Sequence, residues 1–427
     1  MSSLRPVDCC IAGGGPAGMM LGLLLARAGV KVLVLEKHTD FLRDFRGDTV
    51  HPSTLQVLHE LGLLEAFLRR PHDQVSELRA FYEGQEVPIA DFTYLPTAAR
   101  FLALMPQWDF LDFLAGVGKR YPCFALQMDA EVTGITTDAS GRANGVEVLQ
   151  GHDAGAARTV TVGARLVVAA DGRHSRLRAA AGLVRTEYGA PIDVLWMRLP
   201  RRDGDPAATA GHIRGGRLLV LLNRGSYWQA AFVIAKGGYQ SLQDQGMDRF
   251  RQELGAVAPF LQGRLEQALP DWDAVKLLTV TVDRLRQWHR PGLLCIGDAA
   301  HAMSPVGGVG INLAIQDAVA TANLMAAALV GPANGAELDA LLPTLRERRA
   351  FPVAVTQAAQ RVVQARILAP LVALHGTTRE EGSPAPRRLP WLLGLLKRSA
   401  WMRRVPARMV GLGVRPEHVQ TGDTFRP

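Results

Sequence analysis

The stretch Val7-Asp-Cys-Cys-Ile-Ala-Gly13-Gly-Gly15-Pro-Ala-Gly18, continued by Met19 to Ala28, Gly29 and Lys31-Val-Leu-Val-Leu-Glu36, decides the fold. Its first run is short, apolar and rich in strand formers. The Leu- and Ala-rich middle reads as a buried helix ended by Gly29, and Val32 to Leu35 read as a second strand. This is a βαβ unit with Gly13-x-Gly15-x-x-Gly18 at its first strand-to-helix turn. In such a unit Gly13 permits the tight turn, Gly15 admits a pyrophosphate to the backbone, and Gly18 lets the helix pack close to the sheet. The helix start offers free N–H groups and a partial positive charge to that anion. Glu36 ends the second strand, where a carboxylate accepts hydrogen bonds from ribose hydroxyls.

Outward from this unit, the spacing predicts a helix over Pro52–Leu64 and a hairpin over Ser76–Asp91 that turns at Glu83-Gly84-Gln85. A further helix is expected over Gln107–Tyr121, with a buried strand Leu166–Ala170. Gly189 to Ile234 is strand-rich with an antiparallel pattern. Val309–Leu329 and Leu338–Leu374 read as helices, and Gly382–Pro390 as a Pro-rich linker. Two more stretches carry chemistry. Asp171-Gly-Arg-His-Ser175-Arg-Leu-Arg178 follows a buried strand and opens a helix that Ser175 caps. Arg178 pairs with Asp171 or with a phosphate. Gly297-Asp298-Ala-Ala-His301 follows the strand Leu293–Ile296, and a glycine-rich loop then feeds a helix starting near Gly310 to Asn312. Ligands in such sheets bind outside the carboxyl ends of the strands, which places Asp298 to hold a sugar-alcohol hydroxyl.

Together these motifs resemble the class A flavoprotein monooxygenases of the para-hydroxybenzoate hydroxylase-like family, over Val7 to about Leu374. The resemblance implies an α/β fold: a Rossmann-like FAD-binding domain (1–75, 101–185, 281–335) with an inserted, mainly antiparallel β-sheet substrate domain (76–100, 186–280). A C-terminal helical region (336–381) and a basic tail with an amphipathic helix (382–427) would follow. It implies non-covalent FAD held by Gly13, Gly15, Pro16, Ala17, Gly18, Glu36, Lys37, Arg46, Gln107, Asp171, Gly297, Asp298, Gly310, Ile311 and Asn312. Pro305 would line the space above the isoalloxazine, and the helix start at Gly310 would face flavin N1 and O2. NAD(P)H would act as a transient co-substrate. O2 would react through a flavin C4a-hydroperoxide to hydroxylate or epoxidise an electron-rich, aromatic or lipophilic small molecule. Two alternatives stay open: a non-oxygenating reductase or desaturase of the geranylgeranyl-reductase type, and a flavoprotein with a redox-sensing role.

Composition narrows the partners. Four cysteines without a CxxC or Cys/His cluster argue against a metal and for a reducing, cytoplasmic setting. No signal peptide is expected. His301 is expected to buttress its loop and His51 to cap a helix, and no general base is assigned. Trp196, Tyr227, Trp228, Phe232 and Tyr239 fall in the substrate domain, where strand aromatics are usually core. The net charge of +8 is local, because eight of the 48 Lys and Arg lie between Gly382 and Pro416, a stretch without Asp or Glu. The remaining chain balances its 40 acidic residues, which argues against nucleic-acid binding. Trp391 to Arg404, bounded by the linker and Pro406, reads as one amphipathic helix. Its apolar face would carry Trp391, Leu392, Leu395, Leu396, Ser399 and Met402. It would either pack on the enzyme body or contact an anionic membrane through 390–404, at the inner face.

Overall fold

The computed structural model describes residues 2–42, 49–151, 157–370 and 391–425. The strand Ser2–Ala12 lies inside the first sheet, parallel to Val32–Leu35 on one side and to Arg158–Ala169 on the other. Phe124–Gln127 and Leu293–Cys295 extend these two neighbours, also in parallel. The buried helices Pro16–Arg27 and Gly310–Val330 cover one face, and their Met19, Leu23, Ile315 and Val319 share a core with Ile11 and Val34. The opposite face is a second core around Cys10, Val167, Cys295 and Trp288. Burial on both faces explains why these strands are continuously apolar.

Arg158–Ala169 is longer than the apolar run at its end. Its first half pairs antiparallel with Ala143–Gln150, which pairs with Ala130–Thr137. In that half buried and half-exposed residues alternate, the mark of a strand with one covered face. The second sheet has seven strands, in the order Lys276–Leu278, Ile192–Pro200, Tyr227–Ala235, Arg217–Asn223, Ala210–Arg214, Glu77–Tyr82, Gln85–Asp91. All its pairs are antiparallel except Ala210–Arg214 with Glu77–Tyr82. On one face Leu195, Leu199, Trp228 and Phe232 pack on the helix Met247–Val257. On the other, Val194, Ala231 and Val233 meet Val306 and the end of the long helix Gly335–Val363. Trp228 and Phe232 are therefore core residues.

Expectations for the later part of the chain change. The long helix opens with an Asn334–Glu337 capping box, and its last turn, Gln364–Leu368, widens to π geometry. The expected end at Leu374 and the linker Gly382–Pro390 lie outside the described residues. The tail is two helices, Trp391–Arg398 and Ala400–Gly411, broken at extended Ser399. Ser competes for backbone hydrogen bonds and favours such cap positions. Pro406 sits inside the second helix rather than ending it. The buried face is also different: Leu393 and Leu396 are covered, and Leu395 is exposed.

His51 does not cap its helix. Its fully buried ring crosses to the second tail helix, donating from Nδ1 to the Val410 carbonyl at 2.8 Å, with Nε2 3.2 Å from Thr49 Oγ1. Burial pushes its pKa down from 6.5 to about 4, against the raising effect of the Val410 carbonyl. The folded ring is therefore neutral where the unfolded one is protonated. Stability contributed by His51 is present above pH 6.5 and is lost as pH falls towards 4. At 1.36 kcal/mol per pKa unit the loss is about 3 kcal/mol. Unfolding midpoints measured between pH 7 and 4 are expected to fall more steeply for the native protein than for His51→Gln; equal slopes would refute the assignment.

Candidate functional site

The three motifs meet at the carboxyl ends of Ser2–Ala12, Arg158–Ala169 and Leu293–Cys295. Gly13 has φ of +104°, and a Cβ there would lie 2.3 Å from the Ala170 carbonyl oxygen, inside the next strand connection. A Cβ on Gly18 would lie 2.0 Å from the Gly13 oxygen. Both positions exclude any side chain. Gly15 differs: its backbone is ordinary, and a Cβ would meet nothing within 4 Å. Packing does not demand glycine at that point, and the space beside it is open. It lies at the start of Pro16–Arg27, whose N–H groups receive no side-chain cap. Pro16 is half-buried in the first turn, and Ala17 is buried beside it.

Glu36 is buried at the end of Val32–Leu35 and accepts from Gly14 N–H at 2.8 Å and His38 N–H at 3.2 Å. These bonds fix the carboxylate against the glycine loop. Lys37 is exposed next to it, and Gln107 is the half-buried first residue of Gln107–Gly118. Arg46 lies outside the described residues.

Asp171 Oδ2 accepts from the Arg176 and Leu177 amides, while Oδ1 is buried with no partner. Burial pushes its pKa up, against the hydrogen bond from Ser175. Ser175 Oγ accepts from Arg178 N–H at 3.0 Å, the expected cap. Arg178 pairs with neither Asp171 nor an open phosphate position. Its guanidinium is buried and donates to the carbonyls of Ala299 and Arg173. It therefore ties the second motif to the third. Arg173 makes a second tie, with Nε 2.9 Å from Asp298 Oδ2. This half-exposed bridge holds one carboxylate oxygen and orients the group.

Gly297, at φ +59°, sits where a Cβ would press on Ala17 Cβ at 3.2 Å and Ala314 Cβ at 3.4 Å. The two covering helices thus converge on one glycine. Beneath it lies a network that no local pattern announces. Asp317, fully buried, accepts from Gly297 N–H at 3.0 Å, lies 2.6 Å from His301 Nε2 and accepts from Arg349 Nε at 3.0 Å. Burial alone would raise the Asp317 pKa; the His301 ring and the Arg349 guanidinium outweigh it and hold the carboxyl below its usual range. His301 buttresses the loop as expected.

Half-buried Pro305 leads into Val306–Gly308. Gly308 has φ of +65°, and a Cβ there would lie 2.6 Å from Thr49 Oγ1. Gly310 begins the 21-residue helix Gly310–Val330, again with no side-chain cap and open space at its Cβ position. Ile311 is buried, and Asn312 accepts from Thr54 Oγ1 at 2.8 Å, leaving its buried Nδ2 unpartnered. Two uncapped helix starts with open glycines, a fixed carboxylate and orphaned polar atoms on Asp171 and Asn312 fit a large anionic dinucleotide such as FAD.

Comparison with known proteins gives the same reading. The family described as FAD binding domain matches residues 6–359. The chain is 33% identical over 317 residues to 6-methylpretetramide 4-monooxygenase of Streptomyces rimosus, covering 73% of each chain. It is 28% identical to rifampicin monooxygenase of Streptomyces venezuelae, covering 78% of this chain and 66% of that enzyme. Among solved structures, PqsL of Pseudomonas aeruginosa, described as a probable FAD-dependent monooxygenase, superposes with a TM-score of 0.68 at 20% identity over 87% of this chain and 100% of that one.

Because the Gly15 Cβ position is open, Gly15→Val should fold like the native protein and lose FAD affinity by at least about tenfold, since a branched side chain would fill the anion's approach to the helix start. Gly18→Val should not fold. Thermal unfolding of the apoprotein and FAD titration by fluorescence test both; native FAD affinity in Gly15→Val would remove Gly15 from the site.

Proposed function

Since this chain belongs to the class A, para-hydroxybenzoate hydroxylase-like family of FAD-dependent monooxygenases, we propose that its substrate is a multi-ring phenol. The protein is an oxidoreductase that uses FAD with NAD(P)H as electron donor. Bound FAD supplies the ring system that accepts hydride and passes one oxygen atom of O2 to an electron-rich carbon. The protein's own groups bind, orient and keep the site dry. Glu36, Asp171 and Asp298 would hold hydroxyls of the cofactor's sugar and ribityl parts. The uncapped amides at Gly310 would offer positive charge to an anionic part of the bound ring system.

The observation that carries the substrate class is Trp196. It lies with half-buried Leu218 and Val220 on the sheet face that packs on Val306, the residue after Pro305, around buried Val194, Ala231 and Val233. Trp196 Nε1 is buried there with no partner, a single N–H donor suited to a phenolic or carbonyl oxygen of a flat substrate. Two relatives are named for 6-methylpretetramide and rifampicin, and their similarity supports a large substrate here.

A panel of one-ring and multi-ring phenols should show stimulation of NAD(P)H oxidation by the multi-ring members, with one oxygen from labelled O2 in the product. Reduction of the substrate without label would favour the reductase reading. No stimulation by any phenol would overturn the substrate class. Trp196→Phe should raise KM by about two- to tenfold, the worth of one neutral hydrogen bond, with kcat nearly unchanged. An unaltered KM would remove Trp196 from substrate recognition.

A further inference from the structure

The two tail helices spend one side on the protein. Leu393 and Leu396 pack with Tyr82, Val87 and Ile213. Ala407 and Leu412 join Phe92 and Leu95, and Gly411 is so close that a Cβ there would lie 2.6 Å from Leu95 Cδ1. The other side has no such use. Trp401, Arg404, Val405 and Arg408 follow the i, i+3, i+4, i+7 stripe of one helix face, and all four are exposed, Trp401 at 65%. Leu395, Lys397 and Arg398 are exposed on the preceding helix. Tyr94, also exposed, carries the Arg404 guanidinium 3.7 Å above its ring and widens the patch. Among the described residues, none of Lys397, Arg398, Arg404 and Arg408 pairs with a carboxylate. An exposed indole among unneutralised cations is an arrangement suited to neither a solvated helix nor a packed one.

We propose that this face docks on an anionic lipid bilayer, with Trp401 and Val405 entering the interface and the neighbouring cations meeting headgroups. Charge complementarity selects this occupant. The positive excess is confined to the tail, so attraction acts here and falls off within a Debye length. A second copy is disfavoured, because a two-fold contact would press the same cations against themselves. The placement also has a use. The helix that exposes Trp401 reaches Val410, whose carbonyl holds His51 and whose Cγ2 lies 3.5 Å from the Cβ position of Gly307. Nine residues at 1.5 Å each put the lipid-facing indole about 14 Å along the helix from the Pro305–Gly310 loop. A lipophilic substrate would reach the site directly from the bilayer.

The test is co-sedimentation of the full-length holoprotein with vesicles of phosphatidylcholine alone or mixed with phosphatidylglycerol, at low and high salt. The native protein should bind the anionic vesicles at low salt and be released by salt. Trp401→Ser and the double variant Arg404→Ser/Arg408→Ser should each weaken binding by on the order of tenfold, with unchanged FAD content and unstimulated NAD(P)H oxidation as evidence of an intact fold. Absent binding, equal binding to neutral vesicles, or native binding by both variants would overturn the proposal. So would a concentration-dependent dimer that Trp401→Ser abolishes, which would mark the face as a self-association surface.

Discussion

A single buried carboxylate holds the nucleotide-binding end of this molecule together. Asp317 has no exposure, and an isolated charge there would cost several kcal/mol. It is tolerated because Gly297 N–H, His301 and Arg349 all turn to it. These partners come from a strand end, the loop after it and the long C-terminal helix, so one charge fixes three segments at once. Gly297 in turn sets the meeting point of the two covering helices. Asp298, one residue on, is placed by that same anchor.

Much of this was legible in the sequence because it is local. The helix Pro16–Arg27 and its flanking strands follow from apolar runs punctuated by glycine. The hairpin Glu77–Asp91 turns at Glu83 and Gly84, both with positive φ, as a two-residue turn requires. The Ser175 cap was readable for the same reason. The partners of buried charges were not readable. Arg178 lies 121 residues from the Ala299 carbonyl it binds, and Arg349 lies 32 residues from Asp317. A charged residue in a helical pattern looks solvent-facing until the fold brings its counterpart, so the Asp171–Arg178 pairing suggested by proximity lost to a longer-range contact.

The tail shows a related effect. Its helical periodicity ran through Ser399 and stopped at Pro406, yet the chain breaks at the serine and continues through the proline. Proline inside a helix costs about 3 kcal/mol, and here the buried Ala407 and Gly411 on the following turn fix the backbone against Phe92 and Leu95. Tertiary packing outweighs local preference where the helix has a surface to lie on.

The return of the late chain onto the early chain bears on how the protein is made. Thr424 N–H donates to the Arg27 carbonyl, Arg27 donates to the Thr421 carbonyl, and His51 waits for Val410. During synthesis the first βαβ unit leaves the ribosome hundreds of residues before these partners exist. Its central strand then also lacks Arg158–Ala169, its neighbour on one side. The nascent unit therefore presents a bare strand edge until Arg158–Ala169 emerges, and an unfinished nucleotide cradle until the Gly297 and Gly310 segments follow. The cradle is therefore complete only when the last third of the chain has been made, later than the sheet that carries it.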